Sequence, residues 1–131
     1  MASWMVHLRV ADKLLDEIEE LVGMKFIMGN IAPDSGVPNK DWSSFVPSSK
    51  ISHFQAANSK EKCVLPEKFV EKYLMDKTYD VQTVSFYLGY YTHLLTDVLW
   101  KEKIVEPCLK KYAKEFTENP GLMWKKIKRD W

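Results

Sequence analysis

Apolar positions recur at helical spacing in the first part of this chain, lose their period in the middle, and return as a nearly continuous run around residue 90. From about Ser3 to Val22, Ala11, Leu14, Leu15, Ile18, Leu21 and Val22 repeat every three to four residues. Asp12, Asp16, Glu17, Glu19 and Glu20 take the opposite side. That period predicts an amphipathic helix with Ser3 as N-cap and Gly23 as the glycine that ends it. A short helical turn, Met24 to Met28, leads into Gly29-Asn30-Ile31-Ala32-Pro33-Asp34-Ser35-Gly36, where Asp34 is placed to cap a bend. From there to about Asn58 Pro38, Pro47 and clustered serines break every period. The expectation is a long ordered loop, weighted down by Trp42, Phe45 and Phe54.

A helix from Pro66 to Asp76 follows, with Phe69, Val70, Tyr73 and Leu74 inward. Asp80 then caps a long helix reaching about Lys103. In it Phe86, Leu88, Tyr91, Leu94, Leu95, Val98, Leu99 and Trp100 cover nearly every face. A helix apolar all round is expected to be a central rod buried on all sides. Pro107 opens a further helix through Leu109, Tyr112, Ala113 and Phe116, and Asn119-Pro120 starts a last one ending at Trp131. With no repeat and no strand-like alternation, the fold class is all-α, and the length fits a single helical domain over residues 1–131.

Composition narrows this little. The 131 residues are 46% hydrophobic and 28% charged, which places the chain among globular proteins. A net charge of +1 gives no electrostatic reason to expect nucleic acid or a membrane surface as partner. No apolar run approaches the roughly 20 residues of a transmembrane helix. The start, Met-Ala-Ser-Trp-Met-Val-His, has no basic segment followed by an apolar core, so no signal peptide is seen and a cytoplasmic location is expected. Cys63 and Cys108 form no CxxC pair, and free thiols in a reducing compartment are the simpler reading over a bridge. Lys125, Lys126, Lys128 and Arg129 near the end read better as a solvated basic face than as phosphate contacts.

Candidate chemistry changes the picture. His93 and Asp97 sit one turn apart on the central helix and share a face. A carboxylate buried there without partners is costly, and a divalent metal would satisfy both side chains. His7 points inward with Ala11, Leu14 and Ile18, while His53 lies near the end of the long loop. With Asp34, these form a mixed nitrogen and oxygen set of the kind zinc takes. Spacing alone leaves open whether they meet. An inward histidine such as His7 is also a common hydrogen-bonded core residue.

Four ordered segments carry a resemblance: His7-Leu8-x-x-Ala11-Asp12-x-Leu14-Leu15, the Gly29 to Gly36 turn, Ser52-His53-Phe54, and Tyr87-Leu88-Gly89-Tyr90-x-x-His93-Leu94-x-x-Asp97. Together they resemble the zinc-dependent phospholipase C family, which is related to the S1/P1 nucleases. The resemblance covers roughly residues 1 to 100 and implies a helical bundle holding zinc ions that hydrolyse phosphodiester bonds. It implies Asp34, His53, His93 and Asp97 around one zinc, with His7 and a bridging Asp97 at a second. In the family an N-terminal tryptophan exposed by processing completes that second site; here Trp4 follows Met1, Ala2 and Ser3.

The chain departs from the family after the central helix, where it has no histidine beyond His93. One or two zinc ions are therefore expected rather than three. Glu102, Glu106, Glu115 and Glu118 are the residues available as stand-ins, and the abrupt Arg129-Asp130-Trp131 ending reads either as that of a fragment lacking a C-terminal portion or as that of a natural minimal version missing part of the site. The implied reaction is metal-assisted hydrolysis of a phospholipid or another phosphoester, with Asp34 a ligand that also orients the attacking water. The alternative is a non-catalytic metal-binding helical module with a degenerate site. Gly89, one turn before His93, either leaves room for metal or substrate or permits close helix packing. Trp42, Phe45, Phe54 and Tyr90 either line an apolar pocket or fill the core.

Overall fold

A computed structural model describes residues 1–57 and 63–129. It is all-α apart from one small hairpin. The helices are α1 (Trp4–Glu17), α2 (Gly23–Ile31), α3 (Ser49–Ser52), α4 (Pro66–Tyr73), α5 (Val81–Trp100), α6 (Glu106–Lys111), α7 (Ala113–Glu118) and α8 (Leu122–Arg129). A 3-10 turn, Ala32–Asp34, continues α2, and a π turn, Lys101–Val105, joins α5 to α6. Between Asp34 and α3 lie β1 (Val37–Pro38) and β2 (Phe45–Val46), antiparallel, with Val37 opposite Val46 and Pro38 opposite Phe45. The stretch expected to be a plain loop therefore holds a hairpin and one helical turn.

The first helix is shorter than its apolar period. It stops at Glu17, and Ile18 is already extended. Asp16, Glu17, Glu19 and Glu20 crowd the negative end of the helix dipole with no basic residue in the last turn to offset them. Gly23 accordingly opens α2 rather than capping α1. The corner between them is tied down by the Val22 N–H, which donates to Ser85 Oγ at 2.9 Å.

Helix α5 is the organising element, capped as expected by Asp80, whose carboxylate accepts from the backbone N–H groups of Gln82 and Thr83. It is not buried all round: Leu99 is 51% exposed and Leu95 36%. Its deepest stripe is instead small and polar, Ser85, Gly89, His93 and Asp97 at strict four-residue spacing. Helix α2 lies directly on this stripe. A Cβ on Gly89 would come within 2.0 Å of the Phe26 carbonyl oxygen, and one on Gly29 within 1.9 Å of the Phe86 carbonyl oxygen. The two backbones touch because neither glycine carries a side chain. Of the two readings of Gly89, close helix packing holds.

An aromatic cluster fills the other side of α5. Phe69 stacks on Tyr90 with ring centroids 4.7 Å apart, and Phe54 meets Phe69, Tyr73 and Tyr90 edge-on. Phe54 and Tyr90 are thus core residues. Trp42 buries little and Phe45 only about half of its surface, so neither is a core anchor for the loop. A second core, Ala2, Trp100 and Ile127 with Val6, Ile104, Val105 and Cys108, joins the N-terminus to the last helices. Lys126 of the basic ending pairs with Glu115 and lies over the Tyr112 ring. The expected endpoint of α8, Trp131, lies outside the described residues. No helix among the described residues is long and apolar enough to cross a membrane.

Candidate metal centre

Each sequence-expected residue reaches the site on a different element. His7 comes from α1, Asp34 from the 3-10 turn, His53 from the C-terminal end of α3, and His93 and Asp97 from α5. All five side chains converge. His7, His53, His93 and Asp97 are essentially buried, while the Asp34 side chain keeps 13% of its surface. Asp34 therefore does not cap a bend. Its Oδ1 lies 3.2 Å from His53 Nε2 and 3.9 Å from His93 Nε2. Asp97 Oδ1 lies 3.4 Å from His7 Nε2, and its Oδ2 is 3.6 Å from His53 Nε2 and 3.8 Å from His93 Nε2.

Backbone carbonyls orient the imidazoles. His93 Nδ1 faces the Asn30 carbonyl oxygen at 2.7 Å, and His53 Nδ1 faces that of Ser49 at 3.1 Å. A carbonyl only accepts, so each ring carries its proton on Nδ1 and presents a lone pair at Nε2. Those two Nε2 atoms lie 3.2 Å apart with no proton to share between them. Beside them, His7 Nδ1, His7 Nε2 and Asp97 Oδ2 are buried without a hydrogen-bond partner. Buried polar atoms in native proteins are nearly always satisfied, so this concentration of bare donors and acceptors calls for a ligand. A cation between the lone pairs and carboxylate oxygens would satisfy them together.

The electrostatics agree. Burial, then the neighbouring His7, push the His93 imidazole down to about 4, against the opposing pull of Asp97 and Asp34. It is neutral at physiological pH, as a metal ligand must be. For Asp97, burial alone would raise the carboxyl. The nearby His7, the Ala2 N–H at 2.7 Å and His93 outweigh it and hold the group below the ordinary carboxylate value. Asp34 behaves alike, its burial outweighed by His53 and His93. Two groups of donor atoms each lie within 4.8 Å of one another: His7, His93 and Asp97, and Asp34, His53 and His93. The histidine and carboxylate set fits zinc.

Sequence reasoning missed the atoms that hold the ligands. The Asn30 and Ser49 carbonyls, the Ala2 amide and the Tyr90 hydroxyl, which donates to the Ser52 carbonyl at 2.5 Å, leave no compositional trace. Trp4 is 52% exposed, and it is the Ala2 N–H that meets Asp97. None of the four glutamates named as stand-ins joins a metal-holding group among the described residues. All four are exposed, Glu102 pairs with Lys103, and Glu115 pairs with Lys126.

A cleft of about 490 Å³ opens beside Asp34 and His53, lined also by Met1, Phe45, Pro47 and Ser48. The buried cluster thus has one edge on solvent. No curated protein and no solved structure matched the chain. The family described as zinc dependent phospholipase C matches residues 6–100, a span from the start of α1 to the end of α5 that includes every residue of the cluster. With that match over most of its length, the chain belongs to the zinc-dependent phospholipase C family.

Proposed function

We propose that this chain is a zinc-dependent phosphodiester hydrolase acting on a phospholipid or a related phosphoester. His7, Asp34, His53, His93 and Asp97 would hold one or two zinc ions. The observation that carries the reading is the pair of facing Nε2 lone pairs of His53 and His93 beside the unpartnered Asp97 Oδ2. Zinc held by these residues would supply Lewis acidity, for a phosphoryl oxygen and for water. The chain's own residues do the rest. Asn30 and Ser49 fix the imidazole tautomers, and the aromatic and aliphatic packing around α5 keeps bulk water from the ligands. Asp34 stands at the cleft edge, where its second oxygen can take a proton from a water and orient it toward substrate.

The non-catalytic alternative requires a cluster closed by protein on every side. The exposed edge of Asp34 on the cleft favours catalysis. In this reading residues 1–131 form one helical domain. A cytoplasmic setting is part of the same proposal. The test is hydrolysis of a soluble phosphodiester before chelation, after chelation and after zinc is restored. Loss and recovery support the reading, and activity indifferent to chelator removes it.

A further inference from the structure

The hairpin beside the cleft leaves its large apolar side chains mostly unpacked. Val37, Trp42 and Val46 are between 69% and 72% exposed, and Phe45 is 43% exposed. Val37 and Val46 are cross-strand partners and share one face of the ribbon. Phe45 belongs to the other face, where Trp42 meets it edge-on at 6.3 Å. The ribbon therefore carries apolar side chains on both faces, and Trp42 is the one apolar residue of its polar tip.

The tip is also built rather than loose. Asn39 knits it together: its carbonyl accepts from Trp42 N–H, its Oδ1 from Ser44 N–H and its Nδ2 donates to Ser43 Oγ. Trp42 sits at a φ of 61°, a left-handed position where asparagine or glycine fits and a bulky aromatic is strained. Strain carried by an exposed tryptophan points to a use for that side chain outside the fold.

We propose that this hairpin docks the protein on a phospholipid surface, with Trp42, Val37 and Val46 entering the interface. A protein partner would cover one face of a two-stranded ribbon, whereas an interface of headgroups and acyl chains surrounds both faces and the tip. Charge agrees with a lipid phosphate layer. Lys40 is exposed in the tip two residues before Trp42, and the neighbouring Asp41 carboxylate accepts from the Ser43 N–H at 3.1 Å. Tryptophan and lysine together are the residues that settle at membrane–water boundaries. The docked hairpin also lies beside the chemistry, because Phe45 and Pro47 of this segment line the cleft that holds Asp34 and His53. A headgroup at the bilayer surface is thereby brought to the cleft. This proposal rests on the hydrolase reading for what happens there, but the docking is measured without it.

The experiment is sedimentation with phosphatidylcholine vesicles, with and without phosphatidylserine, for the wild type, Trp42→Asn and Lys40→Ala. Rates on vesicles and on a soluble monomeric phosphodiester are measured in parallel. Trp42→Asn removes the aromatic while fitting the local backbone, so its thermal unfolding should match or exceed the wild type. It should bind vesicles about tenfold more weakly and lose rate on them in proportion, with the rate on the soluble substrate unchanged. Lys40→Ala should weaken only the binding to phosphatidylserine-containing vesicles. Vesicle binding by a protein inactive on both substrates keeps the docking surface and removes the hydrolase reading. A wild type that stays in the supernatant, or a Trp42→Asn variant that sediments equally, overturns the docking. Self-association lost in Trp42→Asn, with no vesicle binding, assigns the ribbon to a second copy and overturns it as well.

Discussion

The imidazole of His7 lies flat on that of His93, ring centroids 3.7 Å apart and planes within 5°. The two rings come from α1 and α5 and are both buried. In the metal-free protein, a proton on His93 would be placed in a desolvated site against this second ring, which is why His93 holds off protonation until about 4.

A pH dependence follows with a definite sign. In the unfolded chain His93 takes up its proton near the ordinary value of 6.5, whereas in the folded chain it waits until about 4. Between those values the unfolded state binds more protons, so stability is full above about 6.5 and is lost as pH falls toward 4. One proton limits the slope to about 1.4 kcal/mol per pH unit. Thermal unfolding of chelator-treated protein across this window should show the fall, and His93→Gln should flatten it. A melting temperature that rises on acidification would contradict the assignment.

The crossing of α2 and α5 predicts a sharp contrast among glycines. Gly89→Ala drives a methyl into the Phe26 carbonyl, and Gly29→Ala does the same at Phe86. Backbone cannot step aside as a side chain can, so each should cost about 3 kcal/mol or more in urea unfolding. Gly23→Ala meets nothing nearer than a Leu15 methyl at 3.7 Å and should be neutral or stabilising by about 0.5 kcal/mol. Equal effects at all three positions would mean that the helices are farther apart.

Tyr90→Phe isolates one hydroxyl. Burial raises that phenol to about 12, so it remains a donor to the Ser52 carbonyl, one residue before His53. Removing it should cost about 1 kcal/mol while the ring stacking on Phe69 persists. Weaker zinc affinity with retained far-ultraviolet circular dichroism would show that the tether positions His53. Unchanged stability and affinity would show that the bond is dispensable.

Much of this was legible in the sequence because function and fold share one helix. Asp80, the apolar run and the His93–Asp97 spacing marked α5, and the helical period around His7 aimed that residue inward. What stayed hidden was physical rather than obscure. The end of α1 depends on a clash of carboxylates with the helix dipole that an apolar period does not register. The buried stripe of α5 reads Ser85, Gly89, His93, Asp97, so hydrophobicity overlooked it and suggested a rod buried on all sides. The hairpin is two residues per strand, too short for alternation to appear. The supports of the site are mostly backbone atoms, which any residue could supply.

Zinc should also contribute to folding. Chelation should lower the melting temperature of the wild type and have little further effect on His93→Ala or Asp97→Ala, which lack the site already. Glu115→Gln should respond to chelator as the wild type does, since Glu115 pairs with Lys126 at the surface. A loss of the chelator effect in Glu115→Gln would bring that carboxylate back as a ligand.

Zinc content per chain is the most direct test of the five-residue cluster. The protein would be reconstituted, dialysed and analysed for metal beside single alanine variants of His7, Asp34, His53, His93 and Asp97, with Glu115→Gln as control. A five-residue zinc site predicts retained zinc in the wild type and control, and a clear loss in the His93 and Asp97 variants. A wild type that holds no zinc, or an Asp97 variant that keeps it in full, would contradict it.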